Sequence, residues 1–241
     1  MMKRVLDAVR DFFFPPVCIA CERDSRTLPL CEECETKIHA IEQRFCQRCG
    51  APLEKSRRSK ICLECAKYPL SLSRIRAWAR FTYPLDKVVY AFKYEQRQRL
   101  AGYFAQKLSL VLSSDRALST ADLIVAIPLH PFKRWRRGYN QSEELAKALS
   151  RQVRIPCDKV LSRSKMTRTQ TKLSASQRRA NVEGAFSVSP KRVHLLSDKR
   201  ILLLDDVITT GSTLDEAAKV LLDAGAKDVM GLAIGGAWIP R

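Results

Sequence analysis

Two adjacent acids, Asp205 and Asp206, are followed, after two intervening residues, by Thr209-Thr210-Gly211-Ser212-Thr213, a run of small hydroxyl side chains around one glycine. The acids end a short unbroken apolar run, Ile201–Leu204, which is too short for a globular helix and reads as a strand buried on both faces. From Leu214 the spacing turns helical, with Leu214, Ala217, Ala218, Leu221 and Leu222 on one stripe. Thr213 with Glu216 has the form of a capping box, and Gly225 that of a helix stop. Hydroxyls and backbone N–H groups at the positive end of a helix favour a phosphate. Carboxylates one step upstream, at the carboxyl end of a strand, lie where open α/β sheets bind ligands. There they can accept hydrogen bonds from two ribose hydroxyls or help to hold Mg2+. The same pattern also describes a plain strand-to-helix turn with two solvated acids.

Eight of the nine cysteines form four C-x-x-C knuckles: Cys18/Cys21, Cys31/Cys34, Cys46/Cys49 and Cys62/Cys65. A two-residue gap lets both sulfurs face one ion, and two knuckles complete a tetrahedral thiolate site. Short intervals between the first two and the last two knuckles favour sequential pairing, although interleaved pairing is also compatible with the spacing. Two structural Zn2+ sites are expected, holding a segment too small to bury a core of its own. Cys157, beside Pro156, reads as a structural thiol.

A chain of 241 residues accommodates one ordinary domain and a small module. The formal net charge is +18, and much of the excess lies between His130 and Arg200, a density that attracts polyanions. No apolar run is long enough to span a bilayer. Residues 2–14 read as a short amphipathic helix interrupted by charge, without a cleavage site, so a cytoplasmic protein is expected.

The elements that must position the acids then follow. Residues 73–83 alternate as a β ribbon, and residues 85–112 are helical with a break near Tyr94–Gln98. Asp122–Ile127 is a second buried strand, followed by the loop Leu129–Gly138 and a helix that Asn140 caps, running to about Gln152. Residues 164–186 lack apolar periodicity and carry several cations, as expected of a lid or binding loop. Val229–Ile234 is the last strand. Strand, loop and helix in repetition make a parallel sheet flanked by helices. Within the loop after the second strand, Phe132, Trp135 and Tyr139 interleave with Lys133, Arg134, Arg136 and Arg137. Such interleaving suits single-stranded nucleic acid, with bases on rings and cations on phosphates. The alternative is that Trp135 and Tyr139 pack on the sheet and only the arginines face a site.

The run LLLDDVITTGST closely resembles the signature of type I phosphoribosyltransferases. What this resemblance implies is an α/β fold of that type, with Asp205 and Asp206 on the ribose of phosphoribosyl pyrophosphate (PRPP) and Thr209, Thr210, Gly211, Ser212 and Thr213 cradling its 5′-phosphate. It further implies Mg2+ bound with PRPP, Arg134 and Arg137 as pyrophosphate contacts, and Arg168 as a catalytic lid residue. The order of parts is similar to the ComF family of competence proteins (ComFC-like): four knuckles, AFKY, IPLHPFKRWRRGYNQSEELA, RTQTKL, then the acid pair and its turn. That resemblance implies a double zinc ribbon over residues 1–70 and a phosphoribosyltransferase-like domain over 71–241. It also implies a role in natural transformation with single-stranded DNA, and partners among DNA-uptake or helicase proteins. DNA contacts are then expected from Lys133, Arg134, Trp135, Arg136, Arg137 and Tyr139. A nucleobase-salvage transferase and a non-catalytic PRPP sensor are the competing functions, and the sequence leaves catalysis itself open.

Overall fold

The computed structural model describes residues 17–25, 29–41, 44–54, 58–166 and 175–238. Its centre is a five-stranded, wholly parallel sheet in the order β1-β7-β6-β2-β3. The strands are β1 (Arg74–Arg80), β2 (Leu123–Ala126), β3 (Cys157–Asp158), β6 (Arg200–Ile208) and β7 (Asp228–Gly236). A separate antiparallel hairpin joins β4 (Leu161–Arg163) to β5 (Phe186–Val188). The helices are α1 (Glu32–Thr36), α2 (Leu63–Lys67), α3 (Leu85–Tyr94), α4 (Leu100–Ser114), α5 (Pro131–Arg137), α6 (Gln141–Val153), α7 (Ala175–Val182) and α8 (Ser212–Asp223).

β6 is central because both of its faces are apolar. Leu202 and Leu204 enter a core with Phe92, Phe104 and Leu145, whereas Ile201 and Leu203 enter a second core with Val125, Leu214 and Phe186. Each such side chain, removed from water, contributes about 1.5–3 kcal/mol. Contrary to expectation, the strand does not stop at the acids. Asp205 pairs in register with Ala233 and Val207 with Gly235, so β7 carries the ladder on to Ile208. Strand alternation therefore sends the two carboxylates to opposite faces of the sheet.

Residues 73–83 are not a ribbon. β1 pairs in parallel with β7, and Ile75, Arg76 and Ala77 are all buried. Their apparent alternation failed to mark an exposed face because the cysteine-rich segment covers it. Arg76 donates to Asp115 Oδ2 at 2.9 Å and to the Gln47 carbonyl at 3.1 Å, and lies 4.6 Å from the Phe45 ring. Arg74 meets the other oxygen of Asp115 at 2.7 Å. The two helices read across residues 85–112 are present as α3 and α4 with the expected break, and Asn140 caps α6 by accepting from the Ser142 N–H at 3.1 Å. The expected amphipathic helix at residues 2–14 lies outside the described residues.

Candidate phosphosugar site and metal clusters

The site forms where β6 runs out past β2. Helix α6 starts beside the acids, and its first two residues divide them: Gln141 Nε2 donates to Asp206 Oδ2, and Ser142 Oγ donates to Asp205 Oδ1 at 3.3 Å. Lys93, in the last turn of α3, places its ammonium 2.8 Å from Asp206 Oδ1. Asp206 is only 5% exposed, so this cation and amide replace the water it has lost. Asp205 accepts from the Asp206 N–H at 2.8 Å. Burial, together with the neighbouring Asp206 charge, pushes the Asp205 carboxyl up to about 7. Neither Lys93 nor Ser142 was legible as a site residue. Only the fold brings α3, and Lys93 with it, beside β6.

After Ile208 the chain turns through Gly211, whose φ of +78° favours glycine. A Cβ there would also stand 3.0 Å from Ile75 Cδ1. The Thr210 and Ser212 hydroxyls lie 2.7 Å apart at the start of α8. The expected Thr213–Glu216 capping box is absent, since α8 begins at Ser212 with Gly211 as its cap residue. Glu216 instead accepts from the Gly184 N–H at 2.7 Å, holding the segment that follows α7. Thr209, Thr210, Gly211, Ser212 and Thr213 thus occupy the turn and the first residues of the helix, two residues beyond the acids.

The connection after β2 is not all loop. His130 Nδ1 accepts from the Phe132 N–H, Pro131 opens α5, and Gly138 closes it with φ +84°. Arg137 contacts Gln141 Oε1 and stacks 4.8 Å from the Tyr94 ring, which brings it within one residue's reach of Asp206. Arg134 is turned elsewhere, to Glu143 at 3.1 Å. It lines a cleft of about 390 Å3 with Leu129, Glu143, Lys159 and Arg163, and neither acid nor any residue of the 209–213 turn borders that cleft. Lys133 is half-buried. Burial first, and then the charges of Arg163, Arg137 and Arg136, hold its ammonium below the usual lysine range. Arg163, which the sequence did not single out, sits 5.1 Å from the Phe186 ring and shares an electrostatic interaction with Asp205. Lys93 and Arg163 are thus the cations that act on Asp205, and Lys133 lies in the field of Arg163 and Arg137.

Of the expected DNA contacts, Trp135 is 79% exposed and pairs with half-exposed Phe132 at 6.0 Å between ring centroids. Arg134 and Arg136 are exposed. Tyr139 is buried instead, with its hydroxyl donating to the Phe92 carbonyl, so it belongs to the core. Arg168 and the rest of residues 167–174 lie outside the described residues. Beyond them, the region expected to be an irregular lid contains α7, and it is bracketed by β4 and β5, which pair with each other.

The cysteines pair sequentially. Cys18, Cys21, Cys31 and Cys34 form one cluster and Cys46, Cys49, Cys62 and Cys65 the other, with all sulfurs of a cluster within 4.8 Å of one another. Cys21 and Cys31 Sγ are 3.8 Å apart, and Cys49 and Cys62 Sγ are 3.7 Å apart. A tetrahedral zinc with sulfur at ~2.3 Å requires edges of about 3.8 Å, whereas a disulfide requires ~2.05 Å. The Cys62 N–H donates to Cys46 Sγ and the Cys65 N–H to Cys62 Sγ, the bonds that offset thiolate charge in a knuckle. Both donor sets fit structural zinc. The first cluster is tied to α4 through Glu35, which accepts from Tyr103 at 2.7 Å and pairs with Lys107 at 2.5 Å.

The family model of a double zinc ribbon domain matches residues 9–66, and that of a phosphoribosyl transferase domain matches residues 139–234. Parallel sheet, flanking helices and paired cysteine clusters therefore define a phosphoribosyltransferase-type fold carrying an N-terminal double zinc ribbon. Competence protein F of Haemophilus influenzae is 33% identical over 223 residues, which is 90% of this chain and 95% of that protein. The DNA utilization protein YhgH of Escherichia coli (strain K12) is 33% identical over 218 residues, 88% of this chain and 87% of that protein. The chain belongs to the competence protein F family. Among solved structures, the allosteric regulatory enzyme of purine biosynthesis is similar at 19% identity and a TM-score of 0.40, over 59% of this chain and 29% of that one.

Proposed function

We propose that the protein binds PRPP at the end of β6 and handles incoming single-stranded DNA in the cytoplasm during natural transformation. The observation that carries the PRPP reading is the continuity of Asp205 and Asp206 with the glycine-centred turn that starts α8. The 5′-phosphate accepts from the Thr210 and Ser212 hydroxyls and from the amides at the helix start. The ribose hydroxyls donate to the Asp205 carboxylate, the less buried of the two, while Asp206 stays engaged by Lys93 and Gln141. Lys133, Arg137 and Arg163 face the pyrophosphate, whose charge Mg2+ helps to neutralise when it is bound with PRPP. The H. influenzae relative is named for competence and the E. coli relative for DNA utilization, which supports a role in DNA handling. The exposed Trp135 and Phe132 with Arg134 and Arg136 supply the stacking and phosphate contacts.

Calorimetry of the zinc-loaded chain with PRPP and Mg2+, followed by titration of the same sample with an oligonucleotide, tests both halves. The double variant Asp205→Ala, Asp206→Ala is expected to lose PRPP binding with its zinc content unchanged. Undiminished binding by that variant would refute the assigned site.

A further inference from the structure

Of the six large aromatic side chains that are exposed among the described residues, four lie on α3 and α5: Tyr90, Tyr94, Phe132 and Trp135. The function proposed above uses only the α5 pair. On α3, Val88, Val89, Ala91 and Phe92 face the core, which turns Tyr90 and Tyr94 outward at 57% and 51% exposure. Their rings meet at 4.8 Å between centroids, the i, i+4 contact of neighbours on one helix face. Exposed Lys87 lies one turn before Tyr90 on the same face. From α5, the Arg137 guanidinium covers the Tyr94 ring at 4.8 Å. Arg137 therefore ties the exposed tyrosine pair of α3 to the end of α5.

We propose that Tyr90, Tyr94 and Arg137 form a second stacking platform for single-stranded DNA, continuing onto α3 the surface that begins at Phe132 and Trp135. The proposal rests on the single-strand reading above and extends it to a different helix. Flat rings at short spacing accept bases of any sequence, and cations between them meet the phosphates. An apolar protein partner is a poorer fit, because seating one on Tyr90 and Tyr94 would take Lys87 and Arg137 out of water without neutralising them. Phosphates supply that neutralisation. The same helix also carries Lys93, which holds Asp206, so a strand lying on α3 passes within one side chain of the phosphosugar site.

The test is fluorescence anisotropy of a labelled oligo(dT) with the full zinc-loaded chain over a range of salt concentrations. Tyr90→Ala with Tyr94→Ala is expected to weaken binding roughly tenfold or more, with an unchanged slope against log salt, because stacking but no phosphate contact is lost. The pair Tyr90→Phe, Tyr94→Phe keeps both rings and is expected to bind within about twofold of the parent. If the alanine pair binds like the parent while Trp135→Ala weakens binding, the surface ends at α5: the proposal fails and the single-strand reading stands. If the parent chain holds no oligonucleotide even at low salt, both fall. Photocrosslinking of the unaltered chain to a bromouracil oligonucleotide gives an answer independent of any variant. Adducts at Tyr90 or Tyr94 are expected, and adducts confined to α5 would overturn the proposal.

Discussion

Lys93 and Asp206, on elements more than a hundred residues apart in sequence, meet at 2.8 Å beside the proposed phosphosugar site. Removing one partner of a pair this well buried leaves a charge without compensation. Lys93→Met is expected to cost about 3 kcal/mol of stability in urea unfolding. Adding Asp206→Asn to that variant should restore more than half of the loss. A double variant no more stable than Lys93→Met would show that the pair is not what Lys93 is needed for.

Asp205 sets a pH dependence of unusual sign. Its folded-state value of about 7 lies above the ordinary aspartate value of ~3.9, so the folded chain holds this proton more tightly than the unfolded chain. The stability it contributes is therefore present at low pH, falls as pH rises from about 4 to about 7, and is level above that. Asp205→Asn should remove this fall, so its gain over the parent in urea midpoint should be larger at pH 8 than at pH 5. The ionised carboxylate is the form that accepts ribose hydroxyls, so PRPP affinity is expected to rise through the same region.

The two metal clusters are expected to be separable in content. Cys62 Sγ lies 3.7 Å from Cys49 Sγ and accepts the Cys65 N–H at 3.4 Å. Cys62→Ser should lower bound zinc from two ions per chain to one by elemental analysis, because the Cys18–Cys34 cluster shares none of these sulfurs. Retention of both ions would show that Cys62 is not a required ligand of the second cluster.

Asp115 is the acid on which the sheet edge depends. It receives Arg74 and Arg76 at 2.7 and 2.9 Å, and Arg76 is 7% exposed. Asp115→Ala is expected to cost about 3–5 kcal/mol, and hydrogen exchange should rise first in β1 and in the knuckle segment that Arg76 bonds.

The sheet and the glycine-centred turn before α8 were legible because their signals are local. An apolar run specifies a strand and a C-x-x-C knuckle a metal ligand pair without reference to anything distant, whereas the true end of β6, four residues past the run, is set by its pairing with β7. Arg76 and Tyr139 were misread for the opposite reason. Arg76 alternates like a surface residue, and only the zinc ribbon folded over it makes it core. Tyr139 sits among cations like a stacking residue, yet Phe92, 47 positions earlier, takes its hydroxyl. That Tyr90 and Tyr94 share one exposed face was not legible in sequence, because exposure on a helix face appears only once the other face has been buried.

Leu70 packs against the second cysteine cluster and also lies 3.7 Å from where a Gly211 side chain would stand. Its neighbour Ser71 donates its N–H to Asp215, in the first turn of α8, at 2.6 Å. The ribbon thus forms one wall of the turn on which a sugar phosphate would rest. A fragment trimmed to the sheet alone would expose that wall's apolar backing to water, and a cell short of zinc would lose the ligand pocket together with the ribbon. Metal supply and nucleotide-precursor supply would then reach this protein as a single input.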